Sequence, residues 1–195
     1  MKLMKQPERA RPRYREIGYC PRCGVKYRPT DFREQDFVFD CAACTFDFYQ
    51  NPLPSSVVAI AHPEQPDWML MLCRRTPPGI GQWCVPGGFM RYGEDAAAAA
   101  AREAHEEVGL RVEIGPLLNV STMHYCYRGR EVFVLEVGYL ARLSDPVPER
   151  FNITAEASEM RFQSVDKILA DPDHLAFPGQ IPLYRAFRER GGRPW

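Results

Sequence analysis

The stretch that most constrains this chain runs from Gly88 to Leu110. Asp95 is a good helix cap, the alanines that follow are the best helix formers, and Gly109 stands where a helix commonly stops. These signals predict one helix over residues 95–108. On it Glu103, Glu106 and Glu107 are spaced i, i+3, i+4 and share a face. Ala97, Ala101, Ala104 and Val108 form a separate stripe of small residues, suited to lie on a sheet while the glutamates face outward. Three crowded carboxylates repel one another. Their ordinary use is a solvated acidic face. The reading favoured here is a hard-cation site, because Mg²⁺ takes oxygen ligands and cancels the repulsion.

The spacing carries more than charge. Gly88, five residues, Glu94, seven residues, Arg102-Glu103, two residues, Glu106-Glu107, one residue, Gly109 and then the apolar Leu110 resembles the Nudix box at every fixed position. The resemblance implies an α/β protein, a Nudix α/β/α sandwich with a mixed sheet. It implies Mg²⁺- or Mn²⁺-dependent hydrolysis of a pyrophosphate bond. Glu103 and Glu107 would be the first metal ligands and Glu106 a ligand or hydrogen-bonding partner. The Gly87 carbonyl is a further ligand, and Glu94 with Arg102 a structural pair. The general base stays open between Glu103, Glu156 and Glu159.

The chain has 195 residues, 45% hydrophobic and 26% charged, with zero formal net charge. This fits one globular domain with a small accessory one. The neutral balance gives no global pull toward nucleic acid or an anionic membrane. No apolar run approaches a membrane span, and residues 1–16 lack the apolar segment of a signal peptide. Seven cysteines without a signal fit a reducing cytoplasmic setting better than a disulfide framework. Residues 1–16 are a basic arm expected to be poorly ordered.

Cys20-Pro-Arg-Cys23 and Cys41-Ala-Ala-Cys44 are two CxxC turns separated by seventeen residues. Two such turns aim four thiolates at one ion, a closed Cys₄ Zn²⁺ site. Zinc would supply the folding energy that so short a segment lacks. Residues 17–50 therefore read as a zinc ribbon, with Phe37-Val38-Phe39 as a strand. Gly24 follows the first knuckle but Thr45 the second, which makes the second turn less typical. Arg22, Lys26, Arg28 and Arg33 are offset by nearby acids, so the module reads as structural or dimer-forming rather than nucleic-acid-binding. Asn51-Pro52-Leu53-Pro54 reads as a rigid linker and residues 55–195 as the catalytic domain. The tract Tyr49-Gln50-Asn51-Pro52 after the cysteines resembles the Nudix subgroup that includes FAD and ADP-ribose pyrophosphatases. NADH pyrophosphatases also carry a ribbon. A homodimer is implied by the same resemblance alone.

In the second domain, residues 56–61 and 68–74 read as strands. Residues 112–125 and 132–143 read as long strands joined by a turn near Arg128-Gly129-Arg130. Residues 152–159 read as a polar loop and 160–164 as a short strand. Residues 165–170 read as a helix capped by Ser164, and 182–190 as a last amphipathic helix. Arg74 or Arg75 is a candidate phosphate contact, with solvation as the alternative. His124 and Tyr125 are candidate substrate contacts, with packing as the alternative. Trp83 reads as core and His105 as surface.

The substrate expected is a small nucleotide, a nucleoside diphosphate joined to a second moiety, with ADP-ribose or FAD first and AMP released. The Ser-Gln-Pro-Trp-Pro-Phe-like tract of NADH pyrophosphatases is replaced here by residues 119–125, which disfavours that substrate. NADH or other dinucleotides and capped RNA are the alternatives within the enzyme class. From another class, a sensor that binds a nucleotide without cleaving it would be expected to lose box glutamates, and all are present.

Overall fold

The computed structural model describes residues 17–127, 130–152 and 154–191. The basic arm and the Arg128-Gly129 turn lie outside the described residues. The chain divides into two compact units at Asn51/Pro52.

In the first unit, Gly24 N–H donates to the Cys20 carbonyl (2.9 Å) and Thr45 N–H to the Cys41 carbonyl (2.8 Å). Gly24 and Thr45 both have positive φ, 74° and 56°. Thr45 thus takes the left-handed conformation that glycine takes in the first knuckle, and the two turns match despite the different residue. A three-stranded antiparallel sheet follows, β1 (Phe32–Arg33), β2 (Val38–Asp40) and β3 (Asp47–Tyr49). Strand β2 begins at Val38 rather than Phe37, because Phe37 has φ 54°. Phe32 and Phe39 pack at 4.6 Å between ring centres and make a minimal core with Val38.

The second unit is built on a seven-stranded mixed sheet. Its strands are β4 (Leu53–Ala61), β5 (Trp68–Arg74), β6 (Trp83–Cys84), β7 (Gly87–Phe89), β8 (Val112–Tyr127), β9 (Arg130–Leu143) and β10 (Ala157–Ser164). The order is β10-β5-β4-β9-β8, with β6 on β5 and β7 on β4. Among the described strands, β4 and β9 pair in parallel and the other pairs are antiparallel. Helix α1 (Ala96–Val108) packs with Val58 and Ile60 on one face. Helices α2 (Val165–Ala170) and α3 (Ile181–Arg190) pack with Val57 and Ala59 on the other. Alternate β4 side chains therefore enter opposite cores, and the result is the three-layer sandwich that the box implies.

Four local expectations are corrected. Leu53 and Pro54 belong to β4, not to a linker. A proline near a strand start keeps its carbonyl, which accepts from Met90 N–H at 3.1 Å. Residues 157–159 belong to β10, because Ala157 pairs with Arg74 through a register shift and is buried. Ser164 stands at the N-cap of α2 but makes no side-chain cap hydrogen bond. On α1 the buried line is Ala100, Ala104 and Val108, with Ala99 and Glu107 beside it, so not every glutamate faces outward.

Candidate active site

The site begins where β7 runs beneath α1. Gly87 and Gly88 pair with Val57 and Ser56 of β4. A Cβ on Gly87 would lie 2.5 Å from Val57 Cγ1 and 2.6 Å from the Ser56 carbonyl oxygen. A Cβ on Gly88 would lie 2.6 Å from Glu103 Oε1. Glycine at both positions lets the helix settle close enough for its acids to reach the strand. Glu107 is 8% exposed, and its Oε2 accepts from Gly87 N–H at 2.8 Å. Burial pushes Glu107 up to about 8, against the Gly87 N–H, with the charges of Glu103 and Glu156 adding to the rise. Glu103 is raised too, again mainly by burial and against the Arg102 hydrogen bond.

Arg102 braces the loop before the helix. Its Nε and Nη2 donate to Glu94 at 2.7 and 2.9 Å, and Nη2 also reaches the Phe89 carbonyl at 3.2 Å. Both side chains are 15% exposed, so the pair is shielded as well as bidentate. The Arg102 hydrogen bond holds Glu94 at about 2. Arg102 Nη1 also lies 2.6 Å from Glu103 and 3.1 Å from Glu106.

Glu103, Glu107 and Glu156 line one cleft of about 600 Å³, together with Arg74, Tyr125 and Phe177. Other candidates fall elsewhere. Glu106 is exposed and pairs with Arg91 at 2.8 Å. Glu159 lies 3.3 Å from Arg161 on the exposed surface of β10. Arg75 is exposed and is not among the lining residues, whereas Arg74 is, its guanidinium 5.1 Å from the Phe177 ring centre. His124 stacks on Phe133 at 5.5 Å, while its neighbour Tyr125 packs on Phe177 at 5.3 Å. Alternation along β8 puts these two side chains on opposite faces, and of the two only Tyr125 is among the residues lining the cleft. His105 is on the surface, and Trp83 is half-buried beneath the Arg161 guanidinium at 4.3 Å.

Phe177 and Glu136 went unforeseen. Phe177 precedes the turn Pro178–Gln180 and had no local signal. Glu136 had one, a lone charge inside the apolar run 132–140.

In the first unit, the Sγ atoms of Cys20, Cys23, Cys41 and Cys44 lie within 4.8 Å of one another, with Cys20–Cys44 at 3.7 Å and Cys23–Cys41 at 3.6 Å. A tetrahedron of sulfurs about 2.3 Å from zinc has edges of roughly 3.8 Å, so the four thiols fit that ion. Among the described residues they are the one group of three or more such donors gathered this closely. The cleft carboxylates fit a divalent cation by donor chemistry, as hard oxygens lining one space, rather than by a closed geometry.

A model of the NUDIX domain family matches residues 52–187. The chain belongs to the Nudix family, whose enzymes are pyrophosphohydrolases. A NUDIX hydrolase structure from Nitrosomonas europaea aligns with a TM-score of 0.66 at 28% identity, over 90% of this chain and 94% of that one. The NAD-capped RNA hydrolase NudC of Shigella flexneri is 32% identical over 100 residues, 51% of this chain and 36% of that protein. The match thus spans about a third of that relative's length. The NUDIX domain of Shewanella oneidensis NrtR, solved with ADP ribose, shares the fold with a TM-score of 0.56 at 22% identity, over 73% of this chain and 90% of that one. Among the described residues, no helix is long and apolar enough to cross a membrane.

Proposed function

We propose that the chain hydrolyses the pyrophosphate bond of a nucleoside diphosphate joined to a second moiety, with ADP-ribose or FAD as substrate and AMP as one product. The observation that carries this reading is the convergence of Glu103, Glu107 and Glu156 on one cleft, where burial of Glu107 brings it to about 8. Such a site favours a divalent cation and, through it, a phosphate chain. Glu103 and Glu107 would hold Mg²⁺ or Mn²⁺, with the Gly87 carbonyl beside them. Bound there, the ion neutralises the diphosphate and polarises phosphorus. Gly87 N–H fixes the rotamer of Glu107, and Arg102 fixes Glu103. Glu156 accepts the proton of the attacking water, in preference to Glu159, which faces Arg161. Arg74 is the cleft's phosphate contact. Glu106, turned toward Arg91, acts through the Arg102 network rather than on the substrate.

The four cysteines hold a structural Zn²⁺. A homodimer is supported by apolar side chains exposed on β8 and β9, Leu117, Val120, Phe133 and Leu135, and sedimentation tests it. A reducing, cytoplasmic setting suits the free thiols.

The likeness to NudC proteins named as NAD-capped RNA hydrolases favours a second reading, cleavage of an NAD-type dinucleotide, free or at an RNA end. One panel decides between them: ADP-ribose, FAD, NADH, NAD-capped RNA, diadenosine polyphosphates and nucleoside triphosphates with Mg²⁺, products resolved by chromatography. AMP from ADP-ribose or FAD supports the first reading. Cleavage confined to NAD-type substrates supports the second. Nucleotide binding with no cleavage of any substrate sinks both and leaves a sensor.

A further inference from the structure

Adjoining the cleft is a small pocket of about 60 Å³, the two sharing Arg74, Gly87, Gly88, Phe89, Tyr125 and Phe177. Its floor is one row across the sheet, in which Ser55 of β4 is flanked by Phe89 of β7 and Glu136 of β9. Ser55 is 5% and Glu136 4% exposed. Glu136 Oε2 accepts from Gln180 Nε2 at 2.9 Å, and Gln180 Oε1 accepts from the Tyr184 hydroxyl at 2.9 Å. That chain locks the carboxyl group in place. Glu136 Oε1 and Ser55 Oγ, both buried, have no hydrogen-bond partner among the described residues. Leaving two buried polar atoms of a pocket lining unpaired is costly, and they sit on paired residues of neighbouring strands. Burial brings Glu136 to about 7, against the Gln180 amide.

We propose that this pocket sets specificity, with Glu136 and Ser55 accepting N–H donors from an amino or carboxamide group on an aromatic ring of the substrate. The inference rests on the hydrolase reading for where the rest of the substrate lies. The Glu136 carboxylate and the Ser55 hydroxyl oxygen can both accept from one donor group, and above about pH 7, where Glu136 is ionised, a phosphate or carboxylate would meet it with like charge. Phe89, Tyr125 and Phe177, shared by the pocket and the cleft, make an aromatic lining that suits a flat heterocycle better than a sugar. The small volume admits the edge of a ring and leaves its body among those aromatics. The adenine amino group and the nicotinamide carboxamide share this chemistry.

The test is equilibrium binding with Ca²⁺ as the cation, products checked by chromatography. Two ligand pairs are compared: ADP-ribose with its hypoxanthine counterpart, and NADH with its nicotinic-acid counterpart. Wild type should bind the N–H₂-bearing member of one pair about tenfold tighter, the cost of leaving a built acceptor unmet. Which pair discriminates names the source of the donor. Ser55→Ala and Glu136→Met should each bring that preference to within about twofold, mainly by weakening the preferred ligand. Ser55→Ala is a small change and keeps the test valid should Glu136→Met fold poorly. Absence of preference in wild type for either pair overturns the proposal, as does a preference kept in both variants. Turnover with Mg²⁺ is measured separately. Discrimination in binding without turnover defeats the hydrolase reading and leaves the pocket standing.

Discussion

The two donor clusters of this molecule are built in opposite ways. The four thiols come from two tight turns, and each pair is three residues apart in the chain. The cleft acids come from α1 and from Glu156, and they are positioned by Gly87 of β7 and by Arg102. The first cluster is local and open to solvent at Cys23. The second depends on the sheet, the helix and the loops all being in place. A local cluster can gather its ion while the chain is still forming and draw stability from it. A dispersed one is held by the surrounding core, which is why it can afford buried acids that repel each other.

The largest effect expected follows from that contrast. Cys41→Ser removes one of four ligands from a unit with few buried side chains. It should abolish stoichiometric zinc and the β1–β3 sheet altogether, while the sheet of the second unit persists. Zinc content together with amide exchange checks this. Protection in β1–β3 that survives metal loss would show that the aromatic packing of Phe32 and Phe39 suffices alone.

Next in size is Glu107→Gln. It keeps the shape and the hydrogen bond to Gly87 N–H but removes charge from the cleft. Turnover should fall by about a hundredfold or more, with zinc content unchanged. A drop below about threefold would remove Glu107 from the reaction and leave burial as its main feature.

Neighbouring glycines sharpen the comparison at finer scale. In Gly88→Ala the new methyl meets the Glu103 carboxylate, the movable end of a side chain. Folding should be nearly unaffected and turnover reduced about tenfold or more, because the acid is displaced. In Gly87→Ala the methyl meets the Ser56 carbonyl oxygen and Val57 Cα at 2.6 and 2.7 Å, atoms that cannot yield. That variant should lose about 1–3 kcal/mol of stability. Denaturant midpoints and rates on both variants separate the two effects.

Legibility in the chain followed the same division. The knuckles and the box helix could be located from spacing, because each depends on residues near one another, whereas the Glu94–Arg102 pair came from the family resemblance. Arg74 against Arg75 and Tyr125 against His124 could not be separated, since the pleat decides and its phase comes from partners far away. The stripe 97-101-104-108 was off by part of a turn. Glu107 and Glu103 are drawn inward by β7, which no helix periodicity contains. Strand β10 reaches back to Ala157 only because Arg74 is there to pair with it. Glu136, Gln180 and Tyr184 come from β9, a turn and α3, and no local pattern joins them.

The smallest effect is in pH. The folded-state value of Glu107, about 8, stands above the usual 4.5. Between those values the folded protein holds a proton that the unfolded chain releases, so the contribution of this group to stability falls as pH rises from about 4.5 to about 8 and is level above. Glu136, raised to about 7, acts with the same sign over 4.5 to 7. Glu94, held near 2, contributes fully throughout this range and is lost only below about 4.5. The metal-free cleft should therefore melt at a lower temperature at pH 8 than at pH 6. Added Mg²⁺ should raise the midpoint more at pH 8, where Glu107 is free to bind it without giving up a proton. In Glu107→Gln the slope above pH 7 should shrink and the one below it, owed to Glu136, should remain. A slope that persists above pH 7 in that variant would assign the titration to another raised group, Glu103 in the cleft or His174 beside Asp171, and replacing each in turn separates them.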